Sequence, residues 1–210
     1  MLRISRTFFR TGLMTLLLLV AMATRAQLSA VNYFTLPSGF QYPDFITAGP
    51  DGALWFTGDG YIGRMDMTGN ASQYNVPYSG NLPLSITPGS DGNLWFTDTR
   101  TNSIGRVCAS VLPPTCPLLG HIHEWPVPTA NSNLTGITAG SDGALWFTEH
   151  DANNIGRITT AGTVTEYSLK APNSSPISIT AGPDGALWLD RKSTRLNSSH
   201  ESVSRMPSSA

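Results

Sequence analysis

The chain has 210 residues, of which 40% are hydrophobic and 13% charged, with 20 Gly and 15 Pro. That apolar fraction excludes wholesale disorder, and few charges with many turn formers favour short strands over long surface helices. The net charge of −1 conceals a body, residues 27–189, with 5 basic against 12 acidic groups; so acidic a body excludes nucleic acid and an anionic membrane as partners.

Residues 1–26 read as an export signal. Arg3, Arg6 and Arg10 precede a short apolar run from Gly12 to Ala23, and small residues follow at Ala21-Met22-Ala23 and Thr24-Arg25-Ala26. The run is shorter than the roughly 20 residues of a membrane span. The mature chain is therefore expected to be secreted or periplasmic, with no membrane association after cleavage.

The rest is organised by a repeat. Ile46-Thr-Ala-Gly-Pro-Asp-Gly-Ala-Leu-Trp-Phe-Thr57 returns from Ile86, from Ile137 and, shortened, from Ile179. Its aspartates, Asp51, Asp91, Asp142 and Asp184, are spaced by 40, 51 and 42. Two further motifs follow the first three copies in fixed order. One is Ile62-Gly63-Arg64, Ile104-Gly105-Arg106 and Ile155-Gly156-Arg157; the other is Gln73-Tyr74, Glu124-Trp125 and Glu166-Tyr167. Each unit divides into four strands, A to D, with an Asp-Gly turn between A and B. Four strands in about 42 residues is the size of a β-propeller blade. The fold expected is all-β: a propeller of four-stranded blades, present as an open partial arc of a seven-bladed ring. Blades are placed at about 44–79, 84–128 and 135–170, with a partial blade at 177–189. Trp55, Trp95, Trp146 and Trp188 are expected to pack between blades, with Arg64, Arg106 and Arg157 structural. Asn32–Pro37 matches the end of a unit, which places a lone D strand at 32–37. An arc of this kind would leave an open blade face and unpaired edges.

The long step from Asp91 to Asp142 accommodates an insertion containing the only two cysteines, Cys108 and Cys116. In an exported chain they are expected to form a disulfide across an elongated hairpin. After Leu189 every pattern stops. Asp190–His200 and Ser204–Ala210 read as translated sequencing adapter, so residues 190–210 are expected to be non-native and to form no strand of the fourth blade.

The phrases ITAGPDGALWFT, NNIGRI and TEY resemble the virginiamycin B lyase (streptogramin lyase) family over roughly Asn32–Trp188. The resemblance implies a propeller of about seven blades. It also implies an Mg²⁺-dependent elimination that opens a cyclic depsipeptide antibiotic of the streptogramin B type at its ester. A base must remove a proton beside a carbonyl, which suits His, while a metal ion polarises the carbonyl. In the family these groups stand as Glu-x-His ahead of a Gly-Ile step, on the loop leading into strand A. The corresponding loops here are Tyr42–Phe45, Leu82–Ser85, Asn133–Gly136 and Ser175–Ser178, and none contains His or Glu. No catalytic residue is carried over, and the catalytic blades are expected among the missing blades of the ring.

The loops between strands B and C share an end of the sheet with the linkers from D to A. They supply Asp59, Asp98, Arg100, Glu149, His150 and Asp151 as candidates for a small-molecule or peptide ligand. His150, flanked by Glu149 and Asp151, is the candidate base, against the alternative of a solvated polar loop. His121 and His123 alternate on one strand but show no third metal ligand. Three functions remain open: a lyase, a non-catalytic propeller binding a ligand or protein, and a propeller enzyme acting on sugars or lactones.

Overall fold

The computed structural model describes residues 34–77, 80–110, 116–191 and 202–206. The chain divides into two compact units, Met1–Thr35 and Leu36–Ala210. The first unit holds the expected export signal, which lies outside the described residues. The strand expected at 32–37 begins outside them too, and Phe34–Pro37 adopts no strand.

Every described element is a strand. The first sheet is β1 (Ile46–Ala48), β2 (Leu54–Gly58), β3 (Tyr61–Met65) and β4 (Ala71–Asn75). The second is β5 (Pro83–Pro88), β6 (Leu94–Asp98), β7 (Ser103–Val107) and β8 (Ile122–Pro126). The third is β9 (Leu134–Ala139), β10 (Leu145–Glu149), β11 (Asn154–Ile158) and β12 (Val164–Ser168). In each, four antiparallel strands lie in chain order. The fourth sheet has three: β13 (Ile179–Ala181), β14 (Leu187–Arg191) and β15 (Ser202–Met206). The sheets form an unclosed part of a β-propeller.

Strand alternation builds the core. On one face of the second sheet lie Leu94, Phe96 and Val107, which pack with Trp55 and Ile62 of the first. On its other face Trp95 and Ile104 pack with Leu145, Phe147 and Ile158 of the third. Trp146 and Ile155 repeat the arrangement against Ile179, Leu187 and Leu189. A glycine opposite each phenylalanine makes room for it: a Cβ at Gly105 would lie 2.1 Å from the Phe96 ring. The outer face of the first sheet is partly covered. Leu36 and Phe40 cover Phe56, Tyr61 and Met65, and the Tyr61 hydroxyl donates to Gln41 O at 3.0 Å.

The repeated Asp, Trp and Arg form one clamp. Asp142 Oδ1 accepts from Trp146 Nε1 at 3.2 Å and from Ala144 N at 3.2 Å, while Oδ2 takes Arg157 Nε at 2.7 Å. Asp51 repeats this with Trp55 and with Arg64 at 2.7 Å, and the second sheet is looser, Arg106 lying 3.9 Å from Asp91. Each arginine also lies over its tryptophan, 5.8–5.9 Å from the ring centroid. Burial works to raise the Asp142 carboxyl, but the bonds from Arg157 and Trp146 outweigh it and hold it below the usual value.

Two expectations need correction. Trp188 is only half-buried, unlike Trp55, Trp95 and Trp146, because among the described residues the fourth sheet has a neighbouring sheet on one face alone. The tail does form a strand: β15 pairs with β14 from Leu187↔Met206 to Arg191↔Ser202. A sheet edge presents unpaired N–H and C=O groups to any extended segment, whatever its origin, and β14 offers such an edge. Cys108 and Cys116 are joined by a disulfide, their Cα atoms 5.6 Å apart. The hairpin it closes packs toward the first sheet, Gly120 (φ +76°) lying against the Tyr74 ring.

Candidate functional site

The A strands begin and the B strands end at one end of the sheets. Three threonines, each following a Trp-Phe pair, tie this end together. Thr57 accepts from Phe45 N and donates to Leu84 O of the next sheet at 2.7 Å. Thr97 accepts from Ser85 N and donates to Thr135 O at 3.0 Å; Thr148 accepts from Gly136 N and donates to Ile177 O at 3.0 Å. The strand starts so aligned enclose a pocket of about 270 Å³, lined by Phe45, Leu84, Ser85, Thr135–Ile137 and Ile177–Ile179. No titratable side chain lines it. Thr135 stands directly before the Gly136-Ile137 step, and its hydroxyl is already engaged with Thr148 Oγ1 and Ile177 O, both at 2.8 Å.

The candidates from the B–C loops do not form one cluster. Asp59 and Arg100 are exposed, Asp59 in the two-residue turn it makes with Gly60 (φ +78°). Asp98 and Glu149 end β6 and β10 and are fully buried at 0% exposure, so they do not reach the ligand surface where the sequence placed them. The linkers fold over both. Burial, then the charge of Glu166, pushes the Glu149 carboxyl up to about 7.

His150 and Asp151 do come together. His150 Nδ1 lies 2.5 Å from Asp151 Oδ1, with the His side chain 28% and the Asp side chain 56% exposed. Their amides donate to Asn133 O at 3.1 Å and Ser132 O at 3.0 Å, which docks the loop on the linker before β9. Hydrogen bonds from His150 and Asn133 hold Asp151 below the usual carboxylate value. A carboxylate on Nδ1 fixes the proton there and leaves Nε2 as the accepting nitrogen.

Sequence reasoning missed Asn102 and Asn153. Both adopt positive φ, 55° and 56°, and clamp the following linker. Asn153 Nδ2 donates to Leu169 O and Ala171 O, and its Oδ1 accepts from Ser174 N at 2.7 Å. The signal was present, since Asn102, Asn153 and Gly60 each stand two residues before the Ile of the Ile-Gly-Arg motif, where left-handed backbone is needed.

A family model described as the virginiamycin B lyase family matches residues 19–195. The chain belongs to this family. Among solved structures it is similar to a streptogramin B lyase at 42% identity and TM-score 0.67, over 76% of this chain and 51% of that one. It is also similar to virginiamycin B lyase from Staphylococcus aureus, in a catalytically inactive His-to-Ala variant with quinupristin. That match has 38% identity and TM-score 0.70, over 86% of this chain and 60% of the other. The selenomethionine form of the S. aureus lyase gives 39% and 0.70, over 85% and 59%. The chain thus spans about half to three fifths of the length of these lyases. The Mg²⁺ that membership implies finds no ligand set at this end: no carboxylate lines the pocket, and among the described residues no three His, Cys, Asp or Glu converge.

Proposed function

We propose that this chain supplies part of an exported streptogramin lyase, an enzyme that linearises a cyclic depsipeptide by elimination at its ester. The observation that carries the proposal is the 38% identity, over 86% of the chain, to a lyase solved with quinupristin. On this reading the apolar strand-start pocket receives part of the depsipeptide ring. The His150–Asp151 pair stands at the same end of the sheets as the base available within the described residues. The test is incubation of the full-length protein with quinupristin and analysis by liquid chromatography and mass spectrometry. Elimination gives a linear product of unchanged mass, hydrolysis adds one water, and no turnover sinks the lyase reading. His150→Ala should abolish turnover if His150 is the base; full activity in that variant removes it from the mechanism and leaves the family reading intact.

One observation favours a second reading. With Thr135 hydrogen-bonded and no titratable group in the pocket, the described residues also suit a propeller that binds a ligand without transforming it. Saturable quinupristin binding without product would support that alternative.

A further inference from the structure

The second sheet buries a set of oxygens that the protein leaves without partners. Asp98 Oδ1 accepts from the amides of Leu82, Arg100 and Thr101 at 3.1, 3.1 and 3.2 Å. Its Oδ2 is buried and accepts from no N–H or hydroxyl group. Glu124 of β8 is its neighbour, close enough for a side-chain hydrogen bond between the two carboxyl groups. Asn81, 1% exposed, donates from Nδ2 to Glu124 Oε2 at 3.3 Å. Glu124 Oε1, Asn81 Oδ1 and Thr101 Oγ1 are likewise buried and unpartnered. Beside a carboxyl pair that can share one proton, two further buried oxygens, Asn81 Oδ1 and Thr101 Oγ1, therefore go without a partner.

The third sheet is the control for this arrangement. Glu149 stands in place of Asp98, Glu166 in place of Glu124 and Ser132 in place of Asn81. There Thr129 donates to both Glu166 oxygens, through N and Oγ1, at 2.9 Å each. Ser132 is bonded to Asn102 Oδ1, and Asn154 reaches Glu149 Oε2. Only Glu149 Oε1 of that set is left over. The same architecture can nearly satisfy itself, whereas the second sheet, with the shorter Asp and a buried amide, does not.

We infer that Asn81, Asp98 and Glu124, with Thr101, hold a divalent cation, and that its class is calcium. All four donors are hard oxygens, and two carboxylates balance a charge of +2. Calcium accepts six to eight oxygens at roughly 2.3–2.6 Å in irregular geometry, whereas magnesium demands a near-octahedral shell and keeps several waters. A buried, mostly protein-built donor set suits the former. Bound there, the ion fastens the linker before β5 to the loop between β6 and β7. None of the four residues lines the strand-start pocket, and the inference does not depend on the lyase reading.

The test is calorimetric titration of CaCl2, with MgCl2 as a parallel series, at pH 8 into the chain stripped with chelator, together with melting curves. One equivalent of Ca²⁺ should bind, Mg²⁺ should bind at least tenfold more weakly, and the melting temperature should rise with Ca²⁺. Asp98→Asn and Asn81→Ala should each weaken Ca²⁺ binding at least tenfold, while Glu149→Gln should leave it unchanged. Should those variants not fold by circular dichroism, Asn81→Asp adds a charged ligand and should tighten binding. No saturable Ca²⁺ binding by the folded chain overturns the inference and assigns the pair a shared proton instead. Binding at full strength in Asp98→Asn overturns it as well.

Discussion

The third and fourth sheets open their second strand on the same Leu-Trp pair, LWFTE in β10 and LWLDR in β14, yet they are held differently. In the third, Trp146 is 1% exposed and packs against the next sheet, and Tyr167 stacks on it with centroids 5.6 Å apart. In the fourth, Trp188 is half-buried and the third strand comes from the unrelated tail. The difference teaches that the motif supplies a strand with a large apolar side chain on one face, while the adjoining sheet supplies most of its stabilisation.

The largest effect should come from truncating the enclosed tryptophan. Trp146→Ala should cost about 3–5 kcal/mol, against about 1 kcal/mol for Trp188→Ala, measured by urea unfolding. Equal costs would break the comparison. Next comes the disulfide: Cys108→Ser with Cys116→Ser should cost about 2–3 kcal/mol for so short a loop. Because the closed hairpin packs toward the first sheet, hydrogen exchange at Tyr74 should quicken while β12 stays protected.

A pH series sharpens the contrast further. The buried Glu149 carboxyl sits at about 7, above its ordinary 4.5. The folded chain therefore keeps a proton that the unfolded chain releases. Its contribution, on the order of 3 kcal/mol, is full below about pH 4.5 and lost as pH rises through about 7. Burial pushes Glu124 up to about 7 as well, so Glu149→Gln should lessen, not abolish, the fall in melting temperature between pH 5 and 8; an unaltered slope would refute this account. The smallest effect is expected from a chain truncated after Arg191. Amides of β14 should lose exchange protection, with global stability changed by less than about 1 kcal/mol. A large drop would mean that β15 is an integral strand of the fourth sheet.

Residues such as Trp95, Gly105 and Arg106 were legible in advance because each position does the same job once per repeat. Spacing therefore reported strand period, turn position and sheet-facing side in the order seen. The site was less legible. Asp98 and Glu149 read as exposed loop acids, and their burial depends on linkers arriving from the preceding sheet, more than a dozen residues away in sequence. His150 and Asp151 are neighbours in sequence, and their pairing was within reach; that their loop docks on Ser132 and Asn133 was not.

By itself, then, the sequence determined the four-stranded unit, its Asp-Gly turns, its repeated aromatic core and the family. Those properties are local or periodic, written in strand alternation and in residues able to take positive φ. Tertiary structure alone decided which acids lose water, which tryptophan keeps it, and that β14 takes a partner strand from the tail. Burial is settled by what one sheet places over another, and a backbone edge pairs through groups that every residue except proline carries.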